Sequence, residues 1–370
     1  MAAASFMPRF RAEHVGSLLR PRRLTQAFRA FHAGEMPAAE YGAVQDECIR
    51  EAVALQERVG LQVVTDGEFR RGSYWGHFVD ALEGMATRPA LFDFHDETGA
   101  VQPFIAPHVA GRLARKAGGI STGEFAFLKA AARVTPKVTL PSPPTMHFWR
   151  GRAGIEPAAY ASAEALFADL ARIFRDELAD LARLGCTYVQ IDEVPLAMLC
   201  DPDVRAVVAR RGDDPAALVG LYIRAINDAL TPRPEGMTVG LHMCRGNFKG
   251  KWLSEGGYDA IAERAFAELA VDLLFLEYDS PRAGDFAPLR FVPASKAVVL
   301  GLVCSKTPVL EDKDALRRRI DEAARFVPLE RLAISPQCGF ASAVSGNPLG
   351  EADEIAKLAL VVEVARSVWG

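Results

Sequence analysis

The sequence predicts a single (β/α)8 TIM barrel with a hairpin inserted between its second and third strands. Three observations carry that prediction. Short apolar runs alternate with long amphipathic stretches along the chain, and eight of the runs read as strands, the count a closed parallel barrel needs. Polar and ionisable residues sit at the C-terminal ends of those runs, where barrel active sites lie. The rival doubly wound sheet needs a glycine-rich turn after an early strand, and neither G-x-G-x-x-G nor G-x-x-x-x-G-K-S/T occurs there.

The first expected strand ends in Glu13-His14-Val15-Gly16-Ser17, and a helix follows from about Ala39 to Val59. Leu61-Gln62-Val63-Val64-Thr65-Asp66, ending in Gly67-Glu68, has the pattern of a buried strand. Lys137 to Leu140 ends in Pro141-Ser142-Pro143. Between these two lies the excursion 92–127. Phe92-Asp93-Phe94-His95 and Val101-Gln102-Pro103-Phe104-Ile105 flank Asp96-Glu97-Thr98-Gly99-Ala100, which reads as a β-hairpin. An excursion of this length in a barrel loop points to a lid or substrate hood. A helix is expected from Ala158 to Leu184, with Leu166, Leu170, Phe174, Leu178 and Leu181 at spacings of three and four and Gly185 as its C-cap. The remaining runs end in functional side chains. Thr187 to Ile191 ends in Asp192-Glu193, Met237 to Leu241 in His242, Leu273 to Leu276 in Glu277, Ala297 to Val303 in Cys304-Ser305-Lys306, and Leu332 to Ile334 in Cys338-Gly339. A last helix runs from about Gly350 to Val368. The whole chain, 1–370, is expected to be one catalytic domain.

Composition narrows the function classes. With a net charge of −4, no basic patch points to nucleic acid. No apolar run reaches the ~20 residues of a membrane span, and the first ten residues lack the apolar core of a signal peptide. Six cysteines in 370 residues are too sparse for a secreted disulfide framework. These features predict a cytoplasmic protein acting on small molecules, with a homo-oligomer left open.

Four potential metal ligands lie at three strand ends: His242, Cys244, Glu277 and Cys338. His242 and Cys244 are two apart, so on a strand they face the same way. Each ligand has a plain reading alone: H-x-C arises often by chance, and Cys338 could be a small buried hydrophobe. Glu277, ending an apolar run, needs a partner because an unpaired buried charge is costly. Together, two thiolates, an imidazole and a carboxylate suit Zn²⁺. Cys48, Cys186 and Cys200 read as packing residues, while Cys304 at a strand end stays a candidate.

At these residues the chain resembles the cobalamin-independent methionine synthase family, specifically its C-terminal catalytic barrel. The segments are His14-Val15-Gly16-Ser17, Asp66-Gly67-Glu68, Gln190-Ile191-Asp192-Glu193, His242-Met243-Cys244, Glu277 and Pro336-Gln337-Cys338-Gly339. The resemblance implies catalytic zinc on His242, Cys244, Glu277 and Cys338. It implies that Glu68 and Asp192 hold the amino group of homocysteine, and that Gly16 and Ser17 form a substrate-binding turn. The runs H-V-G-S-L-L-R-P and H-M-C-R-G-N-F-K-G match a short, single-barrel branch that also resembles epoxyalkane:coenzyme M transferase. Where the family places a histidine acid, this chain has Cys304, followed by Ser305 and Lys306. The chain also begins directly in the catalytic barrel, which leaves folate as donor open.

The expected chemistry is transfer of a methyl group to the thiolate of homocysteine or a similar thiol. A free thiol is mostly protonated at pH 7, and zinc coordination deprotonates it. Two cysteinates and a glutamate outweigh the charge of Zn²⁺, so the bound thiolate stays nucleophilic. Candidates for the missing acid are Cys304, Ser305, Lys306 and Asp279. His14 is a candidate substrate contact, its plain alternative being a satisfied polar residue at the barrel rim, and Arg245 and Asn247 are expected to fix a substrate carboxylate or sulfonate. The plain alternatives are a surface ion pair of Glu68 with Arg70 or Arg71, and helix capping by Asp192 and Glu193. Tyr74, Trp75, His77 and Phe78 read as packing or lid contacts. Two other functions stay open: thiol addition to an epoxide-derived substrate, and a non-catalytic zinc-binding role.

Overall fold

The computed structural model describes residues 5–370. Its strands are β1 (Val63–Val64), β2 (Leu82–Phe94), β3 (Gln102–Arg115), β4 (Thr135–Pro136), β5 (Val138–Pro141), β6 (Tyr188–Glu193), β7 (Thr238–Met243), β8 (Leu273–Glu277), β9 (Ala297–Val303) and β10 (Leu332–Pro336). β5 to β10 form one parallel sheet in chain order. Nearly every residue in these six strands is buried, as expected where helices cover a parallel sheet. Each edge continues by a short pairing. Ala12 makes a parallel bridge to Ile334 of β10, and β4, one residue before β5, pairs parallel with β1. Between the Ala12 segment and β1 no ladder forms among the described residues. Leu18 N–H donates to the Gly67 carbonyl there.

The expected first strand is therefore a single bridge, for a physical reason. The carbonyls of His14, Val15 and Gly16 accept from side chains, namely Lys137, Gln190 and Thr65, so they are not available to a neighbouring strand. Gly16 also turns the chain with φ +141, and a Cβ there would stand 2.7 Å from Thr139 Cγ2. Beside the parallel sheet, Lys137 Nζ donates to Glu13 Oε2 (3.1 Å) and Gln190 Oε1 (2.9 Å), while Tyr188 donates to Glu13 Oε1. This buried polar network is fully partnered, as such networks must be.

The helices follow their local signals. Ala38–Val59 ends at Gly60 in the left-handed region, φ 98. Ala163–Arg183 starts later than expected because the Ser162 side chain caps it, accepting from Ala165 N–H. The last helix is Glu351–Trp369. No helix among the described residues is long and apolar enough to cross a membrane.

The excursion differs most from expectation. The hairpin is β2–β3, so it starts ten residues earlier than 92, and its end runs to Arg115. Beyond it, 116–121 form a turn and 122–127 belong to the helix Thr122–Ala131. Prolines 89, 103 and 107 and the register shifts at Glu83/Met85 and Pro89/Asp93 break the period-two pattern that would have marked the full strands. The hairpin tip is held down. His95 and Trp252 exchange backbone hydrogen bonds of 2.8 and 3.0 Å, and Lys251 pairs with Asp96.

Burial of Glu354, whose carboxylate accepts from Leu19 N–H at 2.7 Å, pushes its pKa up to about 8. A raised carboxyl pKa means that the folded state binds more protons than the unfolded one above pH ~4.5. Stability from this group is thus lost as pH rises towards 8. Glu354→Gln keeps the acceptor and removes the titration. Its stability should overtake that of the wild type as pH rises from 5 to 9, by a few kcal/mol at most, which melting curves across that range would read. Parallel pH–melting curves for the two proteins would refute this.

Candidate functional site

β7 delivers His242 as its fifth residue, and Cys244 follows directly, on the same face. β8 ends in Glu277, and Cys338 lies two residues past β10. Adjacent parallel strands bring these ends to one place. One donor atom from each of the four residues lies within 4.8 Å of all the others, and all four residues are buried. The Cys244 and Cys338 sulfurs are 3.4 Å apart, too far for a disulfide, and all six cysteines are free. Both ring nitrogens of His242 and Oε1 of Glu277 are buried without any hydrogen-bond partner. Orphaned buried polar atoms are rare in folded proteins, and a shared cation would satisfy one ring nitrogen of His242 together with Glu277 Oε1. The donor set, the spacing and the orphaned atoms fit Zn²⁺.

Cys338 is the thiol held low, because it accepts from Cys244 and faces His242. Cys244 is pushed up as the donor of that pair. Gly246, with φ +95, turns the chain so that its N–H reaches Cys244 Sγ at 3.3 Å, and a Cβ there would collide with Leu253. Gly339 has a similar role: a Cβ would fall 1.9 Å from Ser17 Oγ, so only glycine lets the β10 turn close on the Gly16–Ser17 turn.

Arg245 does not line the cavity, contrary to the expected substrate contact. Its Nε donates to the Gly256 carbonyl and its NH1 to Tyr258 Oη, both at 3.0 Å, and it stacks 4.1 Å over the Tyr258 ring. The guanidinium stands 3.8 Å from the Glu277 carboxylate, and Tyr258 Oη accepts from Glu277 N–H. Arg245 and Tyr258 therefore fix Glu277 from behind. Arg245→Ala should weaken zinc binding about 10- to 100-fold. Competition with a chelator measures this, and an unchanged affinity would refute the role.

Above the ligands opens a cavity of about 330 Å³. His242, Cys244 and Cys338 line it, together with Glu68, Asp192, Ser17 and Asn247. Glu68 is buried rather than paired on the surface. Its Oε1 accepts from Thr139 Oγ1 at 2.8 Å and stands 3.6 Å from Arg71, while Arg70 pairs with Asp46 instead. Its backbone is left-handed, φ 61, an uncommon state for a non-glycine residue and one found at functional sites. Burial raises its pKa. Asp192 accepts from Gln190 Nε2, and burial followed by the Glu68 charge pushes its pKa up to about 7. Glu193 instead accepts from Leu196 N–H at 2.6 Å, the capping alternative. Asn247 lines the cavity while its Nδ2 donates to the Gly339 carbonyl.

Other expected site residues lie outside the cavity lining. His14 is buried with both ring nitrogens unpartnered, and Gly16 stands behind Ser17. Ser305 Oγ is tied to Gln337 Oε1 and the Gly339 carbonyl. Lys306 is buried, held charged by Glu277 and then Asp279 against its desolvation. The Cys304 thiol is pushed up to about 11 by burial. The sequence reading missed the aromatic wall: Phe94 and Phe104 from the hairpin, Trp149 and Phe248. Tyr74 and Trp75, read as packing or lid contacts, also face the cavity. Trp149 lies in an irregular segment after β5, where no periodicity marks it.

The profile of the family described as cobalamin-independent synthase, catalytic domain, matches residues 10–367. The uncharacterized protein YxjH of Bacillus subtilis is 40% identical over 367 residues, covering 97% of this chain and 95% of YxjH. A methionine synthase of Pyrococcus abyssi is 27% identical, covering 88% of this chain and 84% of its own length. A crystal structure from Listeria monocytogenes, described as a candidate vitamin-B12 independent methionine synthase, superposes with a TM-score of 0.74 at 30% identity. The match covers 100% of this chain and 99% of that one.

Proposed function

Because the chain belongs to the cobalamin-independent synthase catalytic-domain family, we propose that it is a zinc-dependent S-methyltransferase acting on homocysteine or a closely similar thiol. The observation that carries the reading is the four-donor cluster at a cavity that also presents Glu68 and Asp192. In this reading the six-stranded sheet, the β1–β4 pair and the Ala12 bridge close as one (β/α)8 barrel, a single catalytic domain with β2–β3 as its lid. Free cysteines, two of them 3.4 Å apart, fit a reducing cytoplasm.

Zinc held by His242, Cys244, Glu277 and Cys338 would keep a substrate thiol deprotonated at neutral pH. The protein's own residues do the rest. Glu68 and Asp192 hold the amino group, which fixes the direction of the thiol chain. The Ser17 turn and Asn247 bound the remaining polar space. The hairpin covers the cavity and excludes water. Lys306 answers the charge of Glu277 and Asp279, so these groups maintain the centre rather than touch substrate. The coenzyme-M-type alternative would need a cation for its sulfonate, and Arg245, its candidate, is engaged with Tyr258 and Glu277.

Zinc content per chain, followed by titration of homocysteine and 2-mercaptoethanesulfonate into the cobalt-substituted protein, tests the reading. A sulfur-to-cobalt charge-transfer band with homocysteine is the expected result. A band with the sulfonate alone would favour the epoxide-type reaction. Protein that takes up no metal would end the proposal.

A further inference from the structure

The cavity wall has a chemical bias that the metal centre does not explain. Phe104 meets Trp149 edge-on at 5.1 Å and Phe94 edge-on at 5.0 Å, and Phe94 meets Phe248 at 5.4 Å. These rings, all lining the cavity, make a continuous aromatic wall. Against it stand two carboxylates, Glu68 and Asp192. Among the described residues no lysine or arginine lines the cavity. An anionic methyl donor would meet like charge and find no partner here. A cationic one meets a wall of aromatic rings, the residue type with which proteins bind methylated onium groups.

Proton supply gives a second, independent argument. A donor that leaves as a nitrogen or oxygen anion needs a positioned acid. Cys304, Lys306 and Asp279 do not line the cavity, and Ser305 is hydrogen-bonded away from it. Glu68 and Asp192 are committed to the amino group in the reading above, and the remaining hydroxyls, on Ser17, Ser73, Tyr74 and Ser342, are weak acids. A cavity without a free acid suits a leaving group that departs neutral.

We propose that the aromatic wall binds a methyl onium cation, a sulfonium or a quaternary ammonium, as the methyl donor. This inference rests on the proposed thiol methyltransferase. The acceptor thiolate attacks the methyl carbon and a carbon–sulfur bond forms. The bond from that carbon to the onium sulfur or nitrogen breaks, and its electron pair stays on the heteroatom. The products are a thioether and a neutral sulfide or tertiary amine, with no proton moved.

The test uses the zinc-loaded full chain. Calorimetry compares trimethylsulfonium and choline with 3,3-dimethylbutan-1-ol, the neutral counterpart of choline, and with methyltetrahydrofolate. At least one onium should bind about tenfold or more tighter than the neutral alcohol. Phe104→Leu, which keeps apolar bulk and loses the ring, should weaken it roughly three- to thirty-fold. Which onium binds identifies the source. With homocysteine and trimethylsulfonium, dimethyl sulfide should be released in step with methionine; with a quaternary ammonium, the tertiary amine. The inference is overturned if the alcohol binds as tightly as the cations, if methyltetrahydrofolate binds more tightly, or if a bound onium transfers no methyl to a bound thiol. A homocysteine band in the cobalt protein with no onium binding would sink this inference and spare the methyltransferase. Absence of any thiol band would remove both.

Discussion

Replacing Cys338 with alanine is expected to remove bound zinc and turnover together while leaving the fold standing. Cys338 lies past the end of β10, outside the ladder, so no strand pairing depends on its side chain. Its sulfur is one of two thiolates in a four-donor set with mutual distances within 4.8 Å. Losing a ligand should cost more than the 10- to 100-fold that disturbing an outer partner costs. We expect zinc affinity to fall by at least ~100-fold. Without the ion the substrate thiol reverts to its ordinary pKa near 8.5, so only a few per cent is thiolate at pH 7. Several kcal/mol of activation go with it, which corresponds to a loss of about 10³ or more in rate. Cys200→Ala is the control. Cys200 is equally buried but stands outside the cluster, and its replacement should leave zinc content unchanged. Zinc per chain after dialysis, melting temperature and rate decide the matter. A Cys338→Ala protein that retains stoichiometric zinc and full rate would remove the basis of the assignment.

What could be read from the sequence, and what could not, follows from the range of the forces involved. The four-donor cluster was legible because strand ends bring it together. Runs of apolar residues mark β7, β8 and β10, and the four donors sit at or just past the ends of these strands. β9 was recovered residue for residue, Ala297 to Val303, for the same reason. The first strand failed where local pattern lost to distant side chains. Lys137, Gln190 and Thr65 take the carbonyls a strand would have used, and they lie 49 to 175 residues away. The hairpin was half visible. Its tip had a turn signal in Asp96 to Gly99, but prolines hid the strands. Arg245 shows the limit for single residues. Next to a ligand and basic, it read as a substrate contact, yet Tyr258 and Glu277 turn it inward. The aromatic wall had no signal, because irregular segments and the β2–β3 hairpin bring those rings together.

Asp192→Asn should cripple recognition of amino thiols while sparing thiols that lack the amino group. Asp192 sits at the fifth position of β6, opposite His242 of β7 in the ladder, so backbone pairing fixes its carboxylate beside the metal centre. Its Oδ1 is held by Gln190 Nε2 at 2.7 Å, and Gln190 is itself locked by Lys137, so the side chain has little freedom to retreat. An ammonium group brought into this buried place loses its water and needs a charged partner. Truncating one side of a buried charge pair costs about 2–5 kcal/mol. KM for homocysteine should therefore rise by roughly 30-fold or more, with kcat moving less, because the amide keeps the shape and the thiol is activated elsewhere. For 4-mercaptobutanoate, which has the chain of homocysteine and no amino group, the variant should match the wild type or improve on it, since a carboxylate no longer repels the substrate's own. The difference between the two thiols isolates the amino contact from any general damage to the site, and zinc content should stay at the wild-type level in both proteins. Equal losses for both thiols would mean that Asp192 supports the centre rather than the substrate, and Glu68 would then be the sole remaining anchor for the amino group.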